Sequence, residues 1–260
     1  SPDGDVLSNQ HNFDSNWGTH WSLNTLWGLL FPEIYDDYVA SMVRMYEQGG
    51  LIPRGPSGGN YTYVMLGDPG TPMIVSAINK GISKKYDVNK AYEGILKNLT
   101  PEGIRAFGGY DHDGPLPFQV NFYNQNGYVA HDLPHDGAHS QASASLTLYF
   151  AYQDWSAAQL AKKMGDDSLY HVLNRRSKNY KHIFNDELGV MWPKISDGSW
   201  MKEMPIIQDV FEAPGFCETN ALVSTFYVPH DPEGLINLLG GNENFISYLD
   251  SVFQKGSEDG

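Results

Sequence analysis

The sequence predicts an all-α fold, an α/α toroid whose long irregular loops gather at one rim. Apolar residues recur at three- and four-residue spacing in roughly nine segments, and strand-like alternation is nearly absent. The helical segments also arrive in pairs, joined by loops that alternate between terse and long. A solenoid would share these features, but no repeat of fixed period runs through the chain.

The first helix is marked by apolar positions from Leu23 to Leu30. The second is marked by those from Ile34 to Met45, with Pro32 at an early helical position where its missing N–H costs little. Glu47-Gln48-Gly49-Gly50 reads as a glycine stop, after which Pro53, Gly55, Pro56, Gly58 and Gly59 predict a long loop into Asn60 to Gly67. The spacing predicts a third helix from Thr71 to Lys84 and a fourth from Asn89 to Asn98, with Asp87 as N-cap before Val88. Between Gly103 and Gly137 the periodicity is lost, and the aromatic run Phe118 to Tyr123 reads as extended loop or short hairpin. So long an irregular stretch inside a domain is more often a functional lid than a linker. Helical pattern returns from Ser140 to Lys163 and, after Gly165, from Asp166 to Phe184, a predicted helical hairpin. A second irregular stretch runs from Gly189 to Gly215, and Glu218 to Phe226, Glu233 to Leu239 and Asn242 to Phe253 read as short helices.

Composition narrows the function. The 260 residues carry a formal charge of −14, with 41% hydrophobic and 13% aromatic residues, enough for a sizeable core. No Lys/Arg cluster is available to neutralise phosphates, which argues against nucleic acids and acidic lipid surfaces as partners. No run approaches the roughly 20 apolar residues of a membrane span, and Ser1 to Gln10 lacks a signal-peptide pattern. Cys217 is the single cysteine, which excludes an internal disulfide and a Cys-based zinc cluster and reads as a structural thiol. Sixteen Tyr, 12 Phe and 6 Trp beside 27 Gly suit a surface that stacks on sugar rings, and equally an aromatic-filled core.

No phosphate-binding glycine loop or Gly-x-Ser-x-Gly nucleophile turn occurs. His131 and His135 have the spacing of helical metal ligands, but Pro134 lies between them, so they read as hydrogen-bonding histidines. Among carboxylates, Glu218 stands out in Gly215-Phe216-Cys217-Glu218-Thr219-Asn220-Ala221, the polar opening of an apolar segment. It reads either as a first-turn residue favoured by the helix dipole or as a general acid. In the second reading Phe216, Cys217, Ala221 and Leu222 would desolvate it and raise its pKa.

Phe216-Cys217-Glu218-Thr219-Asn220-Ala221, followed by Phe226-Tyr227-Val228-Pro229-His230-Asp231, resembles the Glu-Gly-Asn-Ala-Trp to Phe-Val-Pro-His-Asp region of glycoside hydrolase family 92. Further segments fall in the family's order and approximate spacing: Met45 to Pro53, Gly59 to Asp68, Lys80-Gly81-Ile82, Ala151 to Trp155, Asn185 to Gly189, Asp197 to Trp200, Gly234-Leu235-Ile236 and Leu249 to Phe253. The resemblance covers almost the whole chain. It implies an exo-acting, calcium-dependent, inverting α-mannosidase with an (α/α)6 barrel, in a periplasmic or secreted setting. Residues 1–260 would be one incomplete barrel domain, without the family's N-terminal β-sandwich and C-terminal barrel segment. Glu218 falls where the family places its general acid. The family's candidate bases lie beyond the position matching Phe253, and its calcium ligands are expected partly in the same stretch. An apolar edge left open by an incomplete barrel would be covered by the rest of the parent chain or by a second copy.

The family's Trp-Asp-Thr-x-Arg motif aligns with Trp17-Gly18-Thr19-His20-Trp21, so a sugar-binding Asp and Arg have become Gly18 and Trp21. A Trp aligns with Gly55, a frequent Glu with Tyr61, a frequent His with Pro69 and a usual Asp with Ser76. Losing partners for a substrate hydroxyl reshapes specificity, so the glycan is expected to be held by Trp17, His20, Trp21, Tyr61 and Asn220. The alternatives are a non-catalytic carbohydrate-binding or scaffold derivative of the barrel, and a helical protein-interaction solenoid.

Overall fold

The computed structural model describes residues 9–12, 15–19, 21–57, 60–108, 115–135, 139–202, 206 and 213–258. Among them the chain is all-α, as the periodicity implies. Helices α1 (Leu23–Leu30) and α2 (Pro32–Gly49) meet at Phe31, with Pro32 at the start of α2 and Gly50 closing it at φ 88°. Helix α3 covers Gly70–Asn79 and α4 covers Val88–Asn98, where the Asp87 side chain accepts from the Asn89 N–H at 2.7 Å. Helix α3 stops short of the expected Lys84. Ile82 N–H donates to Ala77 O at 2.9 Å and Gly81 N–H to Ile78 O at 3.1 Å, a Schellman closure that Gly81 permits at φ 76°.

The aromatic run expected as loop or hairpin is instead helix α5 (Pro117–Asn126), with Pro117 in its first turn and Gly127 at φ 82° ending it. Its buried face includes Gln119, whose amide donates to Ser140 O at 2.9 Å, and that buried polar residue blurs the apolar period. Helix α6 (Ser143–Met164) is mostly buried, and α7 (Asp167–Arg176) folds back on it after Gly165. The segment expected to continue helically to Phe184 becomes a 3-10 turn at Asn179–Ile183 and a two-residue strand. Short helices α8 (Ala221–Ser224) and α9 (Pro232–Leu238) precede α10 (Asn242–Glu258). The strands form two minimal antiparallel hairpins, β1 (Pro56–Ser57) with β2 (Asn60–Tyr61) and β3 (Phe184–Asn185) with β4 (Val190–Met191).

Helix α6 is the spine, packed on α3, α4 and α7 through one apolar core that contains Met73, Ile74, Ile95 and Leu160. Asp154 of α6 is fully buried and pairs with Arg105 Nη1 at 2.7 Å and Arg176 Nε at 2.8 Å, while Tyr123 Oη donates to it at 3.0 Å. It thereby ties α5, α7 and the Ile104–Ala106 turn to the spine, and removing one partner from such a set costs about 3–5 kcal/mol. Arg54, also fully buried, donates to the carbonyls of Tyr63 at 2.7 Å, Met65 at 3.0 Å and Ile104 at 2.9 Å, and to both Gly67 and Phe107. Burial pulls its pKa down to about 10, which leaves it charged at neutral pH, and its grip fixes the loop that carries Met65.

Candidate active site

The site is built on the N-terminal end of α6. Ala144 N–H and Ser145 N–H donate to Gly215 O at 2.9 and 3.3 Å, and Cys217 N–H donates to Ser145 Oγ at 3.1 Å. Gly215 is required there, because it sits at φ 84° and a Cβ would meet Pro193 Cγ at 2.3 Å. The chain then turns so tightly that Glu218 adopts φ 53°, a left-handed conformation uncommon for a residue with a side chain. Glu218 is therefore not in the helix expected over 218–226. That helix is only α8, and Asn220 is its N-cap, with Oδ1 accepting from Val223 N–H at 3.2 Å.

Glu218 faces a cavity of about 440 Å³. Ser145, Leu148 and Tyr149 supply one face of α6, spaced so that all three point the same way. Met65, Cys217, Thr219, Val223, Ser224, Phe226 and Tyr227 close the sides, and Trp17 and Trp21 stand at the rim. The rings of Tyr149 and Tyr227 stack with centroids 4.7 Å apart. Burial pushes the Tyr149 phenol up to about 12, reinforced by Cys217 and Glu218, and carries Tyr227 well above its ordinary value, so both remain neutral hydroxyls. Beside the cavity, His139 is wholly buried with Nε2 3.8 Å from Glu218 Oε1, while the Glu218 side chain keeps 37% of its exposure.

The residues picked from sequence separate. Trp17, Trp21 and Glu218 come together, with Trp17 half-buried and Trp21 71% exposed. Tyr61 does not join them: its hydroxyl donates to Met45 O at 2.9 Å and Leu51 O at 3.0 Å, holding the end of α2. Asn220 is likewise outside the lining, its side chain used as a cap, and His20 lies outside the described residues. Of the residues expected to shield Glu218, Cys217 lines the cavity, whereas Phe216, Ala221 and Leu222 are buried outside its lining, and the rings near Glu218 belong to Trp17, Trp21, Tyr149 and Tyr227. Tyr149 was visible in sequence only as one more residue on an apolar helix face, and nothing in the sequence marks His139. Among the described residues no cluster of three or more His, Cys, Asp or Glu is placed to hold a metal ion.

The chain matches the glycosyl hydrolase family 92 catalytic domain over residues 1–260. An uncharacterised secreted glycosidase of Arthroderma benhamiae is 26% identical over 256 residues, covering 87% of this chain and 31% of that protein. A family 92 inverting mannosidase from Bacteroides thetaiotaomicron superposes with a TM-score of 0.79 at 27% identity, over 92% of this chain and 30% of that one. A family 92 α-mannosidase of the same organism, solved with mannoimidazole, gives a TM-score of 0.79 at 26% identity, over 96% and 31% of the two chains. The sequence thus spans about a third of the length of these relatives. By that match and by its all-α, partial (α/α)6 toroid, the chain belongs to glycosyl hydrolase family 92, within the family's catalytic domain.

Proposed function

We propose that this chain carries the general-acid half of a secreted or periplasmic exo-glycosidase, an inverting α-mannosidase, with Glu218 as the acid. The observation that carries this reading is the single cavity in which Glu218 lies among Trp17, Trp21, Tyr149 and Tyr227, because a proton donor ringed by stacking faces suits a terminal sugar. The similarity to enzymes named as mannosidases, one of them bound to mannoimidazole, supports the substrate class. Glu218 gives its proton to the glycosidic oxygen as the bond to the anomeric carbon breaks, and regains one from solvent. A second carboxylate, about 6.5 to 9.5 Å away across the sugar, must take a proton from the attacking water. Among the described residues Glu218 is the only carboxylate lining the cavity, so the base is assigned to a residue outside the described ones, on the family resemblance one beyond Phe253. Among the described residues no group of three or more carboxylates is placed to hold calcium, so calcium dependence is proposed with ligands from outside them, and no step is routed through the ion.

The test is turnover of an aryl α-mannoside and of an unactivated α-mannoside by the whole protein, with and without chelator, with the anomer of the product followed by NMR. In the Glu218→Gln variant kcat on the unactivated substrate should fall by roughly 10² to 10⁴, and less on the aryl glycoside, whose leaving group needs no proton. Equal losses on both would support a carbohydrate-binding role in place of acid catalysis.

A further inference from the structure

We propose that His139 is a positioning residue for Glu218, a buried imidazole behind the cavity that holds the carboxyl group where its proton can reach the leaving oxygen. The inference rests on Glu218 being the general acid. His139 has no exposed side-chain surface and is absent from the cavity lining, so it meets Glu218 from the protein side and cannot touch a sugar. Both residues are pinned to the start of α6. His139 O accepts from Ala142 N–H at 3.1 Å one residue before the helix, and Cys217 N–H donates to Ser145 Oγ at 3.1 Å within its first turn. Their 3.8 Å separation is therefore set by α6, the mostly buried spine of the fold.

Glu218 needs such a partner. Its backbone is left-handed, its side chain has three rotatable bonds, and over a third of that side chain is exposed, which leaves several rotamers open to it on the cavity side. Tyr149, Tyr227 and Cys217 are the other titratable groups lining the cavity beside it, and both phenols stay neutral. Among the described residues His139 is the only potential cation within ion-pair distance of Glu218. An imidazole with its hydrogen on Nε2 donates to Oε1, which leaves the acid's proton on the other oxygen for the leaving group, and the same N–H then donates to the carboxylate left after transfer. At 3.8 Å the contact is longer than a hydrogen bond, as catalytic contacts often are before substrate tightens them.

A double-mutant cycle in the whole protein tests this, with an unactivated disaccharide and an activated aryl glycoside as substrates. His139→Phe fills the site without a nitrogen and should lower kcat on the disaccharide by about 10²-fold, the effect of a misplaced catalytic group. KM should change by less than about threefold, and the aryl glycoside should lose much less, since only proton delivery is disturbed. In the Glu218→Gln background the same substitution should change little, and His139→Gln, which keeps a hydrogen-bonding end, should recover part of the rate. Equal losses in both backgrounds, a loss carried by KM, or no loss would overturn the role of His139 and leave Glu218 untouched. A Glu218→Gln variant that keeps full activity would instead overturn the acid assignment itself. Thermal unfolding of each variant separates a folding defect from these outcomes, and His139→Gln carries the cycle should His139→Phe fail to fold.

Discussion

As the proposed general acid, Glu218 would deliver its proton to the glycosidic oxygen whatever the sugar, so selectivity rests on what else touches the ring. Trp17 and Trp21 share the cavity with Glu218 where the family pattern has Asp and Arg nearby, and an indole reads a sugar's apolar face without demanding a partner hydroxyl. Trp17→Ala or Trp21→Ala should each weaken glycoside binding by roughly 1 to 3 kcal/mol, measured as Kd for a non-hydrolysed sugar analogue. Trp21, 71% exposed without ligand, should show that loss only if a bound sugar covers it. In a glycoside panel, unmodified α-1,2-mannobiose should not be the best substrate; a wide preference for it would overturn this reading. Glu218, Trp17 and Trp21 stand in motifs that a sequence displays, and the structure places all three on one cavity. Tyr61 and Asn220 stand outside that cavity, because a hydroxyl or an amide suits a sugar and an unpaired backbone group equally well, and here backbone takes both. His139 and Tyr149 gain meaning only from what faces them, which no local spacing encodes.

Helices were legible wherever one face is apolar, as in α2 and α4, and lost where polar residues enter the buried face, as Gln119 does in α5. The segment after α8 shows how such elements are held together. His230 Nε2 donates to Ser177 O at 2.8 Å, its ring lies against Tyr152, Trp155 and Tyr180, and its Nδ1 is buried with no hydrogen-bond partner among the described residues. Charging the ring would put an N–H on that nitrogen with nothing to receive it. Burial accordingly pulls the His230 pKa below its ordinary 6.5. The unfolded chain therefore binds the proton first as pH falls. Stability should be constant above about pH 7, decline as pH drops below about 6.5, and level off once the folded state also takes up the proton. His131, lowered by burial and by His135, contributes with the same sign. Thermal melts across this range should show that decline, and His230→Gln, which keeps a donor for Ser177 O, should make it shallower. A decline that His230→Gln leaves unchanged would exclude His230 as its source.

At the scale of the whole molecule, apolar side chains stand exposed near both ends of the described chain. Helix α1 turns Leu26, Leu29 and Leu30 outward, with Leu29 75% exposed, and Phe31 and Ile34 continue the patch into α2. On α10, Ile246 and Phe253 are exposed in the same way. Single exposed apolar residues are ordinary, but neighbouring ones on one helix form the kind of surface that buries itself against another. The relatives are about three times as long as this chain, so the cover expected in the whole protein is further polypeptide of the same molecule. Deprived of it, the 260-residue chain should associate through α1. Sedimentation should show dimers or larger species at micromolar concentration, and Leu29→Glu with Leu30→Glu should restore the monomer without lowering Tm, because neither side chain is in the core. In the whole protein the same pair of substitutions should lower Tm, since there the carboxylates would be trapped inside an apolar contact without partners. If the isolated chain is monomeric and the substitutions leave the whole protein's Tm unchanged, the α1 face is a solvent-exposed surface in both.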